Sequence, residues 1–245
     1  MESIGIIGQT DSNGMILCVS RLINQFGKKI IFVDASSQQR TRYTVPQLRS
    51  RQEQNLVQYD GIEVAIGFNN LLELKKYMIT KGEDFNDYDY ILISTDREEM
   101  CEEYDLKNAN HLFFSSTLDK FELNRGIDLL KYVCATKRRE SSDAMLKLTK
   151  ILTYTELKSD SDVHIIEDLA KDLPIEWQPE VLLNYDDGDL SVYIQNQYSN
   201  KVEFKKLSKN TKEGLAEIVR QILGEDKNRI HTAIKTIERN ARFSA

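Results

Sequence analysis

Five short apolar runs lie between residues 4 and 155: Ile4 to Gly8 (IGIIG), Lys29 to Asp34 (KIIFVD), Tyr88 to Thr95 (YDYILIST), His111 to Thr117 (HLFFSST) and Leu148 to Thr155 (LTKILTYT). In most of them the apolar residues are continuous rather than alternating, the pattern of strands covered on both faces, as in a parallel sheet. Between the runs, apolar residues recur at helical spacing over Gly14 to Phe26, Asn69 to Thr80, Leu118 to Arg139 and Asp162 to Leu173. Strand and helix alternate four times, which predicts parallel strands joined by crossover helices. The three prolines and eleven glycines are scattered, and no Ser/Gly-rich linker divides the chain. One α/β domain is therefore expected over residues 1 to 225, a doubly wound, mostly parallel sheet with helices on both faces. Residues 226 to 245 are expected to add a basic amphipathic C-terminal helix. Its stripe is Ile230, Ile234 and Ile237 at i, i+4 and i+7, with Phe243 beyond.

Charge narrows the functional classes. With a formal net charge of -6 and an isoelectric point near 5.3, wholesale electrostatic binding to nucleic acid is not expected. Two basic islands run against this sign. Ser36 to Gln52 carries Arg40, Arg42, Arg49 and Arg51 with no acid, a local charge of +4, and the last twenty residues carry +3. The first island follows the second strand, at the sheet edge where open α/β sheets place ligands, so Arg40, Arg42, Arg49 and Arg51 are candidates for binding an acidic partner. The alternative is a solvated loop paired with the protein's own acids. Cys18, Cys101 and Cys134 are odd in number and sit in apolar or helical contexts, which reads as inert buried thiols. No run approaches the roughly 20 apolar residues of a membrane span. A cytoplasmic protein is expected.

The first turn carries the candidate chemistry. A strand, a glycine-containing turn and a helix are how a phosphate-binding unit begins, and such a loop needs glycines, a Lys for the phosphates and a Ser or Thr for magnesium. After Gly8 the chain reads Gln9-Thr10-Asp11-Ser12-Asn13-Gly14, with hydroxyls but no lysine, and no Lys or Arg occurs from Met1 to Ser20. Asp11 adds like-charge repulsion toward triphosphate oxygens. The competing structural reading makes Asp11 or Ser12 a helix N-cap. Asp34 and Asp96 could hold a metal, but acids at strand ends more often are solvated or cap helices, and no metal is expected.

The order of these elements resembles the MinD/ParA class of deviant Walker (SIMIBI) P-loop ATPases. "GIIGQTDSNG", a helix, then "GKKIIFVDASSQ" is similar to that family's "KGGVGKTT" loop leading to "GKKVLLIDxDPQ". Laid together without gaps back from Gly27, Ser12 falls at the phosphate lysine, Asn13 at the magnesium-binding Thr and Ile7 at the lysine that reaches across the family's dimer. Asp34 and Gln38 match the first Asp and the Gln of "DxDPQ", while Ser36 replaces its second Asp. "FNDYDYILISTD" resembles "YDYIIIDTPP", with Ser94 at the Walker B Asp. Similarity continues through "NANHLFFSSTLDKFELNRGIDLLKYV", "KLTKILTYTELKSD", "LAKDLPIEWQPEV" and "LSKNTKEGLAEIVRQIL", covering about Met1 to Leu223.

The resemblance implies a P-loop NTPase-like fold and locates any nucleotide site at Gly8, Thr10, Ser12, Asn13, Gly14 and Asp34, in degenerate form. Losing one charge from a preorganised phosphate site costs a few kcal/mol of transition-state stabilisation, and phosphoryl transfer depends almost entirely on such positioning. A pseudo-ATPase without catalytic residues is therefore expected, with ATP and magnesium not expected as cofactors. The resemblance further implies a protein-binding scaffold for localisation or assembly, most like the factors of pilus or secretion systems, with other proteins of that machine as partners. A homodimer stays open, as does peripheral contact at the inner face of the membrane through Ile230, Ile234, Ile237 and Phe243, a position where MinD-type proteins carry a membrane-binding helix. An ATPase with a rearranged loop and a partition-type DNA binder remain the alternatives.

Overall fold

The computed structural model describes residues 1–45, 55–139, 144–153, 160–184, 186–199 and 201–240. Arg49, Arg51 and Phe243, three of the candidate residues, lie outside them. The described residues form one eight-stranded sheet. Its strands are β1 (Glu2–Ile7), β2 (Ile30–Asp34), β3 (Asn55–Tyr59), β4 (Ile62–Ile66), β5 (Tyr90–Thr95), β6 (His111–Ser116), β7 (Leu146–Thr153) and β8 (Ile175–Leu183), in the spatial order β3-β4-β2-β5-β1-β6-β7-β8. All neighbours are parallel except β3 and β4, which form an antiparallel hairpin.

Alternate side chains of each central strand enter opposite cores, which explains the continuous apolar runs. On β1, Ile4 and Ile6 join one core while Ile7 joins the other; on β2, Ile30 and Phe32 oppose Ile31 and Val33. The first core is covered by α1 (Asn13–Gln25), α6 (Asp187–Ser199), α7 (Lys209–Leu223) and α8 (Lys227–Asn240). The second is covered by α2 (Leu71–Thr80), α3 (Glu98–Glu103), α4 (Lys120–Arg138) and α5 (Asp160–Leu169). The doubly wound α/β class expected from the pattern is the one observed.

Three departures have physical causes. The β3–β4 hairpin was not expected, although Asp60 and Gly61 form its two-residue turn with φ of 48° and 81°, the backbone that Asp-Gly favours. Edge strand β8 contains Pro179 and is half-exposed, so it lacks the apolar run of a central strand. Helix α5 ends at Leu169 rather than Leu173, because the chain must turn before Pro174.

The C-terminal helix forms as expected, but its apolar stripe does not face outward. Ile230, Ile234 and Ile237 are buried in the first core with α1 and α7, so packing continues without interruption across residue 225. Ion pairs tie the helix to α7 as well. Lys227 Nζ lies 2.8 Å from Glu213 Oε2, and Glu238 Oε1 is 2.8 Å from Lys212 Nζ on α7. The apolar face that a membrane or partner contact would use is turned onto the domain itself, because a stripe of isoleucines gains more from a dry core than from water, while Lys227, Arg229, Lys235 and Arg239 stay on the exposed side. Replacing Ile234 by Ala should therefore cost about 2–5 kcal/mol of stability, read from urea unfolding. A change below about 0.5 kcal/mol, the size usual for surface positions, would mean that α8 is not packed on the core.

Candidate functional site

Strand β1 lies between β5 and β6, where successive crossovers diverge to either side, and such switch points open a crevice at the strand C-termini. Register places Ile7 beside Thr95 and Phe114, and Asp34 beside Ser94. A cleft of about 810 Å³ opens there, within the range of small-molecule sites. It is lined by the Gly8 to Asn13 loop, Ser36 to Gln38, Arg40, Ser94 to Glu99 and the first turns of α4 from Phe121 to Leu129.

Gly8 sets the exit of the loop. Its φ is +150°, and a Cβ there would stand 2.0 Å from the Ser115 carbonyl oxygen. Beyond it, the side chains of Gln9 to Ser12 are all held by the protein. Gln9 Nε2 donates to the Asp96 carbonyl (3.0 Å) and Thr10 Oγ1 to Glu122 Oε2 (2.9 Å), while Ser12 Oγ bonds Ser115 Oγ (2.8 Å) inside the fold. Ser12 occupies the N-cap position of α1 but its side chain makes no capping bond. Asp11 does that work: its Oδ1 accepts from the Asn13 N–H (3.2 Å), and its Oδ2 accepts from Arg40 Nη1 (2.7 Å). Gly14 follows, pressed against α6, since a Cβ there would meet the Tyr193 ring at 2.6 Å.

Arg40 reaches Asp11 because the chain reverses after β2. Gln39, with φ of 45°, turns it into the 3-10 turn Arg40–Tyr43. The same reversal sends Arg42 inward, where it is buried and donates to Gln39 Oε1 (2.8 Å). Of the four arginines expected to meet an acidic partner, then, Arg40 is exposed but ion-paired and Arg42 is sequestered. Asp34 ends β2 buried, accepting from Ser36 N–H (3.1 Å), Ser36 Oγ (2.6 Å) and Thr41 N–H (3.1 Å). It organises the turn rather than facing the cleft. Asp96 accepts from Ser37 N–H (2.7 Å) and Ser37 Oγ. Among the described residues no group of three or more His, Cys, Asp or Glu side chains is placed to hold a metal ion.

The lining contains six carboxylates, three guanidinium groups and no lysine. One guanidinium is committed to Asp11, and Arg97 Nε lies 3.4 Å from Glu99 Oε1. An excess of negative charge opposes a triphosphate, and the carboxylate of Asp11 stands at the first turn of α1, where a phosphate would have to bind. The lining thus offers a triphosphate no lysine and more carboxylates than guanidinium groups. Sequence reasoning singled out Gly8, Thr10, Ser12, Asn13, Gly14 and Asp34, and the structure brings all but Asp34 and Gly14 to the cleft surface. It missed Ser115 and Glu122, which join the loop only through tertiary contact. Cys18, Cys101 and Cys134 are all buried and lie outside this lining; burial pushes the Cys134 thiol up to about 11, that of Cys101 up to about 12, and that of Cys18 higher still.

No family model and no curated protein matches the chain. Solved structures do. The MinC:MinD cell division protein complex of Aquifex aeolicus matches with a TM-score of 0.58 at 12% identity, over 92% of this chain and 97% of that one. This is the MinD/ParA fold. A plasmid partition protein of Borrelia burgdorferi B31 bound to AMPPNP gives 0.57 at 13% identity, over 91% and 99%. A ParA family ATPase of Chlorobium tepidum gives 0.51 at 14%, over 98% of each chain. The MinD/ParA fold thus extends over nearly the whole chain.

Burial raises the pKa of Asp34, and the hydrogen bonds from Ser36 and Thr41 only partly offset it. A carboxyl whose folded pKa lies above its unfolded value contributes stability below the unfolded pKa and loses it as pH rises through the folded one. Urea melts of the wild type and Asp34→Asn should show the wild type losing stability relative to the variant as pH rises from about 4, the ordinary aspartate value, through the raised folded one. A difference that stays flat or runs the other way would contradict a raised pKa.

Proposed function

We propose that this chain is a non-catalytic protein of the MinD/ParA fold that acts as a protein-binding scaffold for localisation or assembly. The observation that carries the reading is the Asp11 carboxylate at the N-terminus of α1, bonded to the Asn13 N–H and paired with Arg40. The chain supplies its own anion where a nucleotide-binding relative would receive a phosphate. The carboxylate excess and the absence of a lysine in the lining point the same way. What is left is a rigid α/β body whose edge loops can recognise other proteins. The MinD of Aquifex aeolicus in a complex with MinC gives the kind of association in view. By fold analogy alone, the partners belong to a positioning machine, with pilus or secretion assembly as the setting named by the sequence resemblance.

A second reading keeps nucleotide chemistry. The cleft is large enough for a nucleotide, and one structure of the same fold holds AMPPNP. Purified protein decides between the two. The scaffold reading expects no magnesium-dependent ATP hydrolysis above a buffer blank and no heat of binding on titration with ATP and magnesium. Turnover that Asp34→Ala abolishes would establish an ATPase with a rearranged loop. In the scaffold reading, affinity capture of the intact chain from its own cells should recover the same positioning or assembly protein reproducibly, with or without ATP.

A further inference from the structure

Helix α6 carries an apolar line that the domain leaves largely exposed. Its inner side is fixed. Asp189 is fully buried and accepts from the Ser208 N–H (2.6 Å) and Thr211 Oγ1 (2.7 Å), while Tyr59 Oη donates to the Asn196 carbonyl (2.8 Å). Val192 and Tyr193 complete the buried side. With that side pinned, Leu190, Ile194 and Tyr198 fall at i, i+4 and i+8 on the outer one, 44%, 47% and 83% exposed. They span about 12 Å of helix at 1.5 Å per residue. Single exposed apolar residues are ordinary, but an aligned row on a rigid element marks an interaction surface.

The charges around the row have a direction. Asp186 and Asp187 stand exposed at its start. Toward its far end Lys206 Nζ is held 3.3 Å from Gln195 Oε1. Between them the exposed helix residues Ser191, Gln195 and Gln197 are uncharged. A partner of one charge sign would be repelled at one end of the row. A second copy laid antiparallel meets each end with its opposite.

We propose that two copies of this chain associate through α6, docked antiparallel about a two-fold axis. Leu190 and Ile194 pack against Ile194 and Leu190 of the partner subunit, and Tyr198 and Lys206 reach the acidic start of the other helix. Such an isologous contact uses each pairing twice. The three exposed side chains supply only part of the roughly 800 Å² per partner of a stable interface, so the dimer is weak. No α6 residue lines the cleft itself, although Leu190 and Ile194 share a smaller neighbouring pocket with Asp11, Asn13 and Arg40; the proposal does not require the scaffold reading, and it expects the same Kd with and without ATP.

Sedimentation velocity of the full chain from about 1 to about 500 µM, with and without ATP and magnesium, tests this. The wild type should pass from monomer to dimer across that range. Ile194→Asp, at an exposed position, should keep the wild-type circular dichroism and weaken dimerisation at least tenfold. Asp187→Lys and Lys206→Asp should each weaken it, and the two together should restore it. A wild type that stays monomeric, an Ile194→Asp variant that dimerises as before, a double reversal no better than either single one, or a dimer that appears only with ATP would each overturn the proposal. Heat of ATP binding is measured separately on the same protein, so loss of the α6 dimer and survival of nucleotide binding are distinct outcomes.

Discussion

The carbonyl of Ser115 comes so close to residue 8 that only glycine can stand there, and the site is organised around that approach. Because β1 and β6 are drawn together at this point, the chain leaving β1 must pass over the end of β6. Ser12 then meets Ser115, and Thr10 meets Glu122 at the start of α4. The start of α1 is fixed by the same path, and Gly14 brings it against Tyr193 of α6. Strand pairing, loop course and the seating of two helices thus follow from one steric constraint.

Within that frame, electrostatics decides what the loop can do. A helix N-terminus attracts an anion, and here the nearest one is covalently part of the chain. An intramolecular carboxylate loses no translational freedom on docking, so a free anion competing with it starts at a disadvantage. Arg40 neutralises Asp11 from the far side, leaving neither group available to a ligand without the other being exposed. Lys227 at the start of α8 follows the same logic, turned toward an acid on α7.

Much of the fold was legible in the sequence, because strands buried on both faces must be apolar at every position. That requirement exposes β1, β2, β5, β6 and β7. It fails for β8, whose outer edge is solvated, and for α6, whose exposed Leu190 and Ile194 blur the amphipathic pattern. The turn of β3 into β4 carries a readable signal in Asp60-Gly61. Of the site, Gly8 and the missing lysine were legible because they lie in one local stretch. The pairing of Asp11 with Arg40 was not, since it depends on a left-handed Gln39 that no propensity dictates. The inward turn of Arg42 and of the α8 isoleucines has the same origin: a periodic stripe tells that a face is apolar, not what covers it.

The three buried thiols give the molecule a further property. Each is enclosed in packed apolar surroundings that disfavour the thiolate, the form that reacts with alkylating reagents. The folded protein is chemically silent toward maleimides and iodoacetamides. A single cysteine placed on its surface would carry a dye, spin label or cross-linker without removal of Cys18, Cys101 or Cys134, each of which fills core volume that a smaller residue would leave empty.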